Sequence, residues 1–432
     1  MNYPVWDISF LGGGSLIALI ATVHVFVAHF AVGGGLFLVI TEMLGHRRGD
    51  PGILAYVQGH TKFFLLLTMV FSALTGVGIW LTISVLNPAA TSILIHNFVF
   101  AWATEWVFFL VEIVSLLIYY YTFGRMDPKN HVTVGWIYFI AAWISLFIID
   151  GIISFMLTPG AWLETRNFWD GFFNPSFVPS LFFRTFIAFI LAGAYGLITS
   201  TQIQDAGLRQ TMVRHCAIWL AAPFILLIPS AWWYLQVVSP QAKALILGGS
   251  PEIVRYARAF LWISPLVFLG GLIMVVRLPK GLQKALAGAL LVLSFFFLGY
   301  FEMIREASRR PYIIHGHMYS NAILKSQLPQ VRQKGVLKSA KWVLHRNITP
   351  ANRLTTGHQL FNLLCLDCHS VGGQLNDILD RTGGMGPADI DAVIETMGGD
   401  RGYMPPFPGT TQERQTLVYY LVEGLQKKEP RP

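Results

Sequence analysis

The sequence predicts an all-α fold: a polytopic membrane bundle of about eight transmembrane helices followed by a small polar C-terminal domain. Three observations predict it. Only 12% of the 432 residues are charged, against about a quarter in a soluble domain. Hydrophobic residues make up 54%, with 32 Phe and 13 Trp among them, more apolar surface than a soluble chain of this length could bury. Apolar stretches longer than the ~18 residues a spanning helix needs recur until about residue 300, after which the composition turns polar. The same composition excludes intrinsic disorder. The net charge of +8 reads as basic loops at a membrane surface, and no nucleic-acid partner is expected.

The spans are expected at roughly 11–44, 63–86, 98–123, 132–157, 179–200, 213–238, 258–277 and 282–304. The first run is too long for the apolar core of a leader and lacks a basic segment before it, so it reads as a retained helix. Several spans exceed the bilayer thickness, which predicts tilt or extension beyond the lipid. Pro229 and Pro265 fall inside the sixth and seventh and should bend them. One set of loops holds Arg47, Arg48, Lys62, Arg125, Lys129, Arg209, Arg214, Arg277, Lys280 and Lys284; the opposite set holds Arg166, Lys243, Arg255 and Arg258. The first set should be cytoplasmic, which puts both termini and the C-terminal domain on the periplasmic side of a bacterial inner membrane. The expected domains are 1–320 for the membrane part, 321–350 for a basic linker and 351–432 for the small domain.

The strongest local signal is Cys365-Leu366-Asp367-Cys368-His369. C-x-x-C-H is the attachment sequence of a covalent c-type haem, with the histidine as iron ligand. A thiol redox pair is the rival reading. The motif follows a helical stretch, Gln359 to Leu364, and opens a domain expected outside the cytoplasm, where such haems are attached. Met404, in Tyr403-Met404-Pro405-Pro406-Phe407, is the best candidate for the sixth ligand, since a thioether opposite histidine suits electron transfer. Met385 and Met397 are weaker candidates. The domain resembles a class I single-haem cytochrome c over about residues 355–426. The third cysteine, Cys216, reads as a packing residue.

Ionisable groups inside the apolar spans mark further sites, because charge in hydrocarbon needs a cavity, a partner or a cofactor. His24 and His29 lie in the first helix, Glu105 and Glu112 in the third, Glu302 and Glu306 at the end of the eighth. Glu105 and Glu112 are two helical turns apart and share a side. Histidines can ligate haem iron; carboxylates can ligate iron or relay protons; either type can simply pair between helices.

At this point much of the membrane part resembles subunit I of the cytochrome bd-type quinol oxidases. His24 and the run to Gly33 resemble the segment with that family's high-spin haem ligand. Trp106-Val107-Phe108-Phe109-Leu110-Val111-Glu112 resembles the stretch ending in its conserved glutamate. Glu105 resembles the earlier glutamate, at a spacing that departs from the family's. The helix from Trp136 to Asp150-Gly151, then Met156 and Pro159, resembles the family's next helix. Glu306-Ala307-Ser308-Arg309-Arg310-Pro311-Tyr312 looks like the Glu-x-Gly-Arg-Gln-Pro-Trp element, with Ser, Arg and Tyr as departures. The resemblance covers about 10–320. It implies that His24 and Glu306 ligate membrane haem iron, that Arg309 belongs to the cofactor site, and that Glu105 and Glu112 relay protons or line the haem pocket. It also implies one or two membrane haems of b or d type and a second membrane subunit.

Where the family has a low-spin haem histidine, this chain has Arg184, in Ser180-Leu181-Phe182-Phe183-Arg184-Thr185. No methionine appears around Ala259 to Leu266, and the Ser239 to Ala257 connection is too short for the family's quinol loop. Arg184 is expected to neutralise a haem propionate or a buried carboxylate, or to anchor at the interface. His96, His315 and His317 are replacement-ligand candidates or simply face water. His60, His131 and His215 read as structural, and His46 as exposed.

Together these features point to a respiratory electron-transfer protein. In one reading electrons arrive from a periplasmic cytochrome or a partner subunit through haem c and reach a bd-like centre that reduces dioxygen. In another the chain is a quinol-oxidising or electron-transfer subunit of a larger respiratory complex, delivering electrons outward through haem c. A third makes it a non-catalytic, haem c-bearing scaffold.

Overall fold

The computed structural model describes residues 6–373, 376–399 and 403–427. Among them are eight helices long and apolar enough to cross a membrane: α1 (Gly13–Arg48), α2 (Pro51–Leu86), α3 (Val99–Tyr121), α4 (Pro128–Phe155), α5 (Phe177–Ser200), α6 (Ala206–Val237), α7 (Pro251–Val275) and α8 (Lys280–Ser308). The chain is thus an all-α, multi-pass membrane bundle.

The helix starts follow local chemistry. Asp50 caps α2, its Oδ1 accepting from the backbone of Gly52 (2.9 Å) and Ile53 (3.3 Å), with Pro51 at the first helical position. Asp127 and Asp205 cap α4 and α6 in the same way. The cap at Asp50 lengthens α2 well beyond the span that hydropathy predicts from residue 63. The extra turns carry His60 and Thr61, both buried, and polar side chains inside a bundle lower hydropathy without breaking a helix. A π-helical stretch, Leu66–Ser72, interrupts α2. Pro229 and Pro265 lie inside α6 and α7, while the break in α6 falls earlier, at Ala222–Pro223.

The contacts divide the chain into two compact units. One contains Ala21–Val77 and Phe98–Ser308, hence most of the membrane helices. Its centre is α5: 72% of the most apolar window of this helix is buried, against 11% for α2. Two glycines set that position. A Cβ on Gly33 of α1 would stand 1.9 Å from the Ala188 carbonyl oxygen of α5, and one on Gly193 of α5 would stand 2.3 Å from the Leu220 backbone nitrogen of α6. Backbones approach this closely only where a small residue lets them. Aromatic rings fill the core, with Phe30 stacked on Tyr195 at 4.0 Å and Phe37 packed edge-on to His60 at 5.3 Å.

The other unit contains Met1–Ile20, Gly78–Asn97 and Arg309–Pro432. The expected 351–432 domain is therefore not set apart as a unit of its own. Strands β1 (Tyr312–Ile314) and β2 (Met318–Tyr319) form an antiparallel pair. Helices α9 (Arg353–Leu364), α10 (Pro387–Glu395) and α11 (Thr411–Tyr419) surround an apolar core of Leu360, Phe361, Ile390, Ile394, Leu417 and Leu421. Residues 321–350 also enter this core, through Ile323, Val331, Val336 and Leu337. The buried Glu413 carboxylate ties them in, accepting from the backbone N–H groups of Val336 (2.9 Å), Leu337 (2.8 Å) and Thr410 (2.8 Å).

Replacing Gly33 by Leu should prevent α1 from seating on α5 and abolish the folded, monodisperse protein in detergent. Gly59→Ala, where the new Cβ meets nothing within 4 Å, should leave it intact. Size-exclusion profiles of the two variants check this.

Candidate functional site

Two groups of side chains carry the chemistry, one in each unit. In the bundle, the first is a buried ionic cluster. Arg184 of α5 is 1% exposed and Asp150 of α4 is fully buried. Arg184 Nε lies 2.9 Å from Asp150 Oδ1, and its Nη1 donates to Glu302 Oε1 of α8 at 2.6 Å. Arg305 Nε donates to Glu302 Oε2 at 2.9 Å, and Ser180 Oγ to Asp150 Oδ1 at 2.8 Å. Glu306, one turn after Glu302, has a side chain 33% exposed and a carboxylate oxygen 3.7 Å from Arg305 Nη2. Arg184 thus neutralises two buried carboxylates, one of the roles expected for it. A guanidinium is always protonated and offers no lone pair to iron. Position 184 therefore does not fit a low-spin haem ligand.

His24 of α1 is oriented by α2. Its Nδ1 lies 3.2 Å from the Ser72 carbonyl oxygen and 3.1 Å from Thr75 Oγ1. A carbonyl only accepts, so Nδ1 carries the proton and Nε2 keeps its lone pair. Ser72 ends the π-helical stretch, whose wider turn redirects carbonyls from the usual ladder. Gly76 lies against the ring; a Cβ there would come 3.2 Å from His24 Cε1. This is how a protein presents a histidine to a metal, with the second nitrogen fixed. His29 donates from Nδ1 to the Val25 carbonyl at 2.9 Å, and its buried Nε2 has no protein partner.

Glu105 and Glu112 of α3 both face α4. Ser145 Oγ donates to Glu105 Oε1 at 3.0 Å and also faces Glu112, whose buried Oε1 has no protein partner. Ser145 thus brings these two together. Arg184 meets Glu302, and Arg305 joins Glu302 to Glu306. At the other end of the same helices lies a group that the hydropathy pattern does not single out. Buried Glu42 is held by Tyr119, His131 and His46. His131 and His46, expected to be structural and exposed, both serve this carboxylate. A glutamate seven residues before a basic loop looks like an ordinary end charge, so only a histidine close to it in space would have flagged it.

In the other unit, the turn after α9 presents the C-x-x-C-H residues. His369 N donates to the Cys365 carbonyl at 2.9 Å, which holds the motif as one turn. His369 Nδ1 donates to the Asn376 carbonyl at 2.7 Å, leaving Nε2 free for iron. Desolvation, opposed by that hydrogen bond and reinforced by Arg310 and Arg381, pushes the imidazole down to about 4, so it is neutral at physiological pH. Desolvation and the neighbouring Cys368 push Cys365 up to about 12. The turn is also enclosed by its own unit: Val371 N donates to the Ser9 carbonyl (2.7 Å), Asn87 Nδ2 to Asp367 Oδ2 (3.0 Å), and Arg310 to Cys368 Sγ. Met404 is partly buried, on a loop held where Pro406 packs against Gly398, a glycine with φ of +80°. Met385 and Met397 pack against the apolar core instead. His96 donates to the Ser92 carbonyl at 2.7 Å, and His315 packs on Tyr312.

The model of the cytochrome bd terminal oxidase subunit I family matches residues 15–246, more than half the chain. The chain belongs to that family. The match takes in His24, Glu42, Glu105, Glu112 and Arg184, and ends before Glu306 and the C-x-x-C-H motif. Among solved structures, the bd oxidase from Geobacillus thermodenitrificans is 16% identical, with a TM-score of 0.59 over 70% of this chain and 87% of that one. At that identity it speaks for the fold alone. No curated protein matches the chain. In this member of the bd subunit I family, a salt-bridged arginine occupies the centre of the bundle.

Arg184→Gln should leave Asp150 as an uncompensated buried charge and Glu302 with Arg305 alone, at a cost of about 3–5 kcal/mol. Thermal unfolding of the detergent-solubilised protein should show the loss. Arg184→Gln combined with Asp150→Asn, which keeps the Glu302–Arg305 pair, should recover part of it.

Proposed function

We propose that the chain is the electron-transfer subunit of a larger respiratory bd-type complex, with a covalent haem c at Cys365 and Cys368 as its electron port. The observation that carries this reading is the state of the motif. His369 is neutral, fixed through Nδ1 and free at Nε2, on the same turn as two cysteines. A thiol redox pair needs a depressed cysteine pKa, and that of Cys365 is raised. The haem supplies the one-electron chemistry when bound. The protein would supply the two thiols that attach it and, to hold its iron, the His369 imidazole and the Met404 thioether from the Pro-containing loop.

Within the bundle, His24 Nε2 and the Glu306 carboxylate are the groups offered to membrane haem iron, with Arg309 in the same element. Glu105 and Glu112, bridged by Ser145, relay the protons that accompany electron arrival. The short connection between α6 and α7, residues 238–250, argues against a quinol site on a long loop there. A soluble cytochrome or a neighbouring subunit is the redox partner on the haem c side. A second reading, reduction of dioxygen in the bundle by electrons entering through haem c, is favoured by the Glu105–Ser145–Glu112 arrangement, since such a reaction consumes protons inside the membrane. By the distribution of basic loops, the haem c side is periplasmic.

The pyridine haemochrome spectrum of the purified chain decides the first point. One c-type haem per chain, retained after denaturation and lost in Cys365→Ser with Cys368→Ser, is the expected result; non-covalent haem alone sinks the assignment. Met404→Ala should lower the haem c reduction potential in a redox titration, while Met385→Ala should leave it unchanged.

A further inference from the structure

The buried group around Glu42 has a property that its burial alone does not explain. Glu42 of α1 is 1% exposed, His131 of α4 is 3% and Tyr119 of α3 is 2%. His131 Nε2 lies 2.8 Å from the Tyr119 carbonyl oxygen, which can only accept, so Nε2 carries a proton. His131 Nδ1 lies 2.7 Å from Glu42 Oε1. Two lone pairs cannot make that contact, so a proton lies between them. It belongs to an imidazolium facing a carboxylate, or to a carboxylic acid facing a neutral imidazole. Glu42 Oε2 meanwhile accepts from the Tyr119 hydroxyl at 2.6 Å. The pair is therefore a buried site that holds one transferable proton.

The site has an opening and a direction. His46, in the last turn of α1 beside Arg47 and Arg48, is 33% exposed at its side chain and places Nε2 3.3 Å from Glu42 Oε1. That is a contact between the pair and the aqueous phase at the basic end of the bundle. On the other side, Tyr119 belongs to one face of α3. Glu105, Glu112 and Tyr119 are spaced seven apart and share that face, and buried Ser115 lies between the last two, donating to the Val111 carbonyl at 2.5 Å. Seven residues of helix rise about 10 Å, and Ser115 lies on that face between Tyr119 and Glu112.

We propose that Glu42 and His131 form a proton-loading site that feeds the Glu112–Glu105 face of α3 from the basic end of the bundle. The proton shared by Oε1 and Nδ1 passes along the Tyr119–Ser115 side of α3 to Glu112, and a proton from the aqueous phase, arriving through His46, replaces it. Loss without replacement would strand a buried anion, which is costly, so release and reloading are coupled. No bond other than the one to the proton changes. The proposal rests on the proton-relay role of Glu105 and Glu112 given above.

The test is proton uptake on reduction of the full-length protein, with its cofactors bound, in liposomes, followed by a pH-sensitive dye. Glu42→Gln should slow uptake about a hundredfold, within the range a positioned proton-transfer group contributes, with haem content and haem c potential unchanged. His46→Ala, at the half-exposed end, should slow it less and respond to added imidazole; it carries the test if Glu42→Gln fails to assemble. Uptake at the wild-type rate in the assembled variants overturns the loading site and leaves the relay standing. A wild-type protein that binds no proton on reduction overturns the relay itself, and the loading site with it.

Discussion

A charge placed in the middle of a membrane bundle must be neutralised from more than one direction, and that constraint organises this protein. Arg184 projects from the central helix α5, and its partners come from α4 and α8. The three helices can then assemble in few other ways, because any slip leaves a buried charge bare. The glycine contacts act with it. Gly33 and Gly193 let α1 and α6 reach the backbone of α5, which brings the side chains of five helices within range of one another. Packing supplies the proximity; the ion pairs select the arrangement.

The remaining polar groups of the bundle follow the same logic at lower cost. His24, Glu105 and Glu42 each have a partner on a neighbouring helix: the Ser72 carbonyl, Ser145, and the Tyr119–His131 pair. Several atoms stay without one, among them His29 Nε2 and Glu112 Oε1. A membrane protein bears such groups where cofactors, protons or water are handled, since burying them idle only destabilises the fold. Partners hold helices together and atoms left without one mark where chemistry is to be sought, while the Glu42–His131 pair joins both roles through the proton it shares.

Much of this was legible in the chain. Apolar runs gave all eight spans, with boundaries mostly within a few residues, because lipid exposure imposes the same requirement on every span. The exceptions were three starts: α6 and α7 begin about seven residues before the expected 213 and 258, and α2 begins about twelve before 63, where His60, Thr61 and Lys62 lower hydropathy while the Asp50–Pro51 cap starts the helix earlier. The C-x-x-C-H motif and the shared side of Glu105 and Glu112 were visible from spacing. Glu42 was not, because its meaning comes from His131, 89 positions away, and local pattern says nothing about contacts at that separation. The role of residues 321–350 was hidden for a related reason. Their basic composition reads as a linker, yet Val336 and Leu337 are buried with their backbone amides on Glu413.

The sequence by itself determined that this is a multi-pass helical membrane protein with a c-type attachment motif, since both depend on local composition and adjacent residues. Tertiary structure alone decided what the buried charges do. It turned Arg184 from a misplaced ligand into the counter-charge of two carboxylates. It turned His131 from a packing residue into half of a proton-holding pair. Pairing of charge depends on distance in space, and in a bundle of eight helices that distance is set by which helix faces meet.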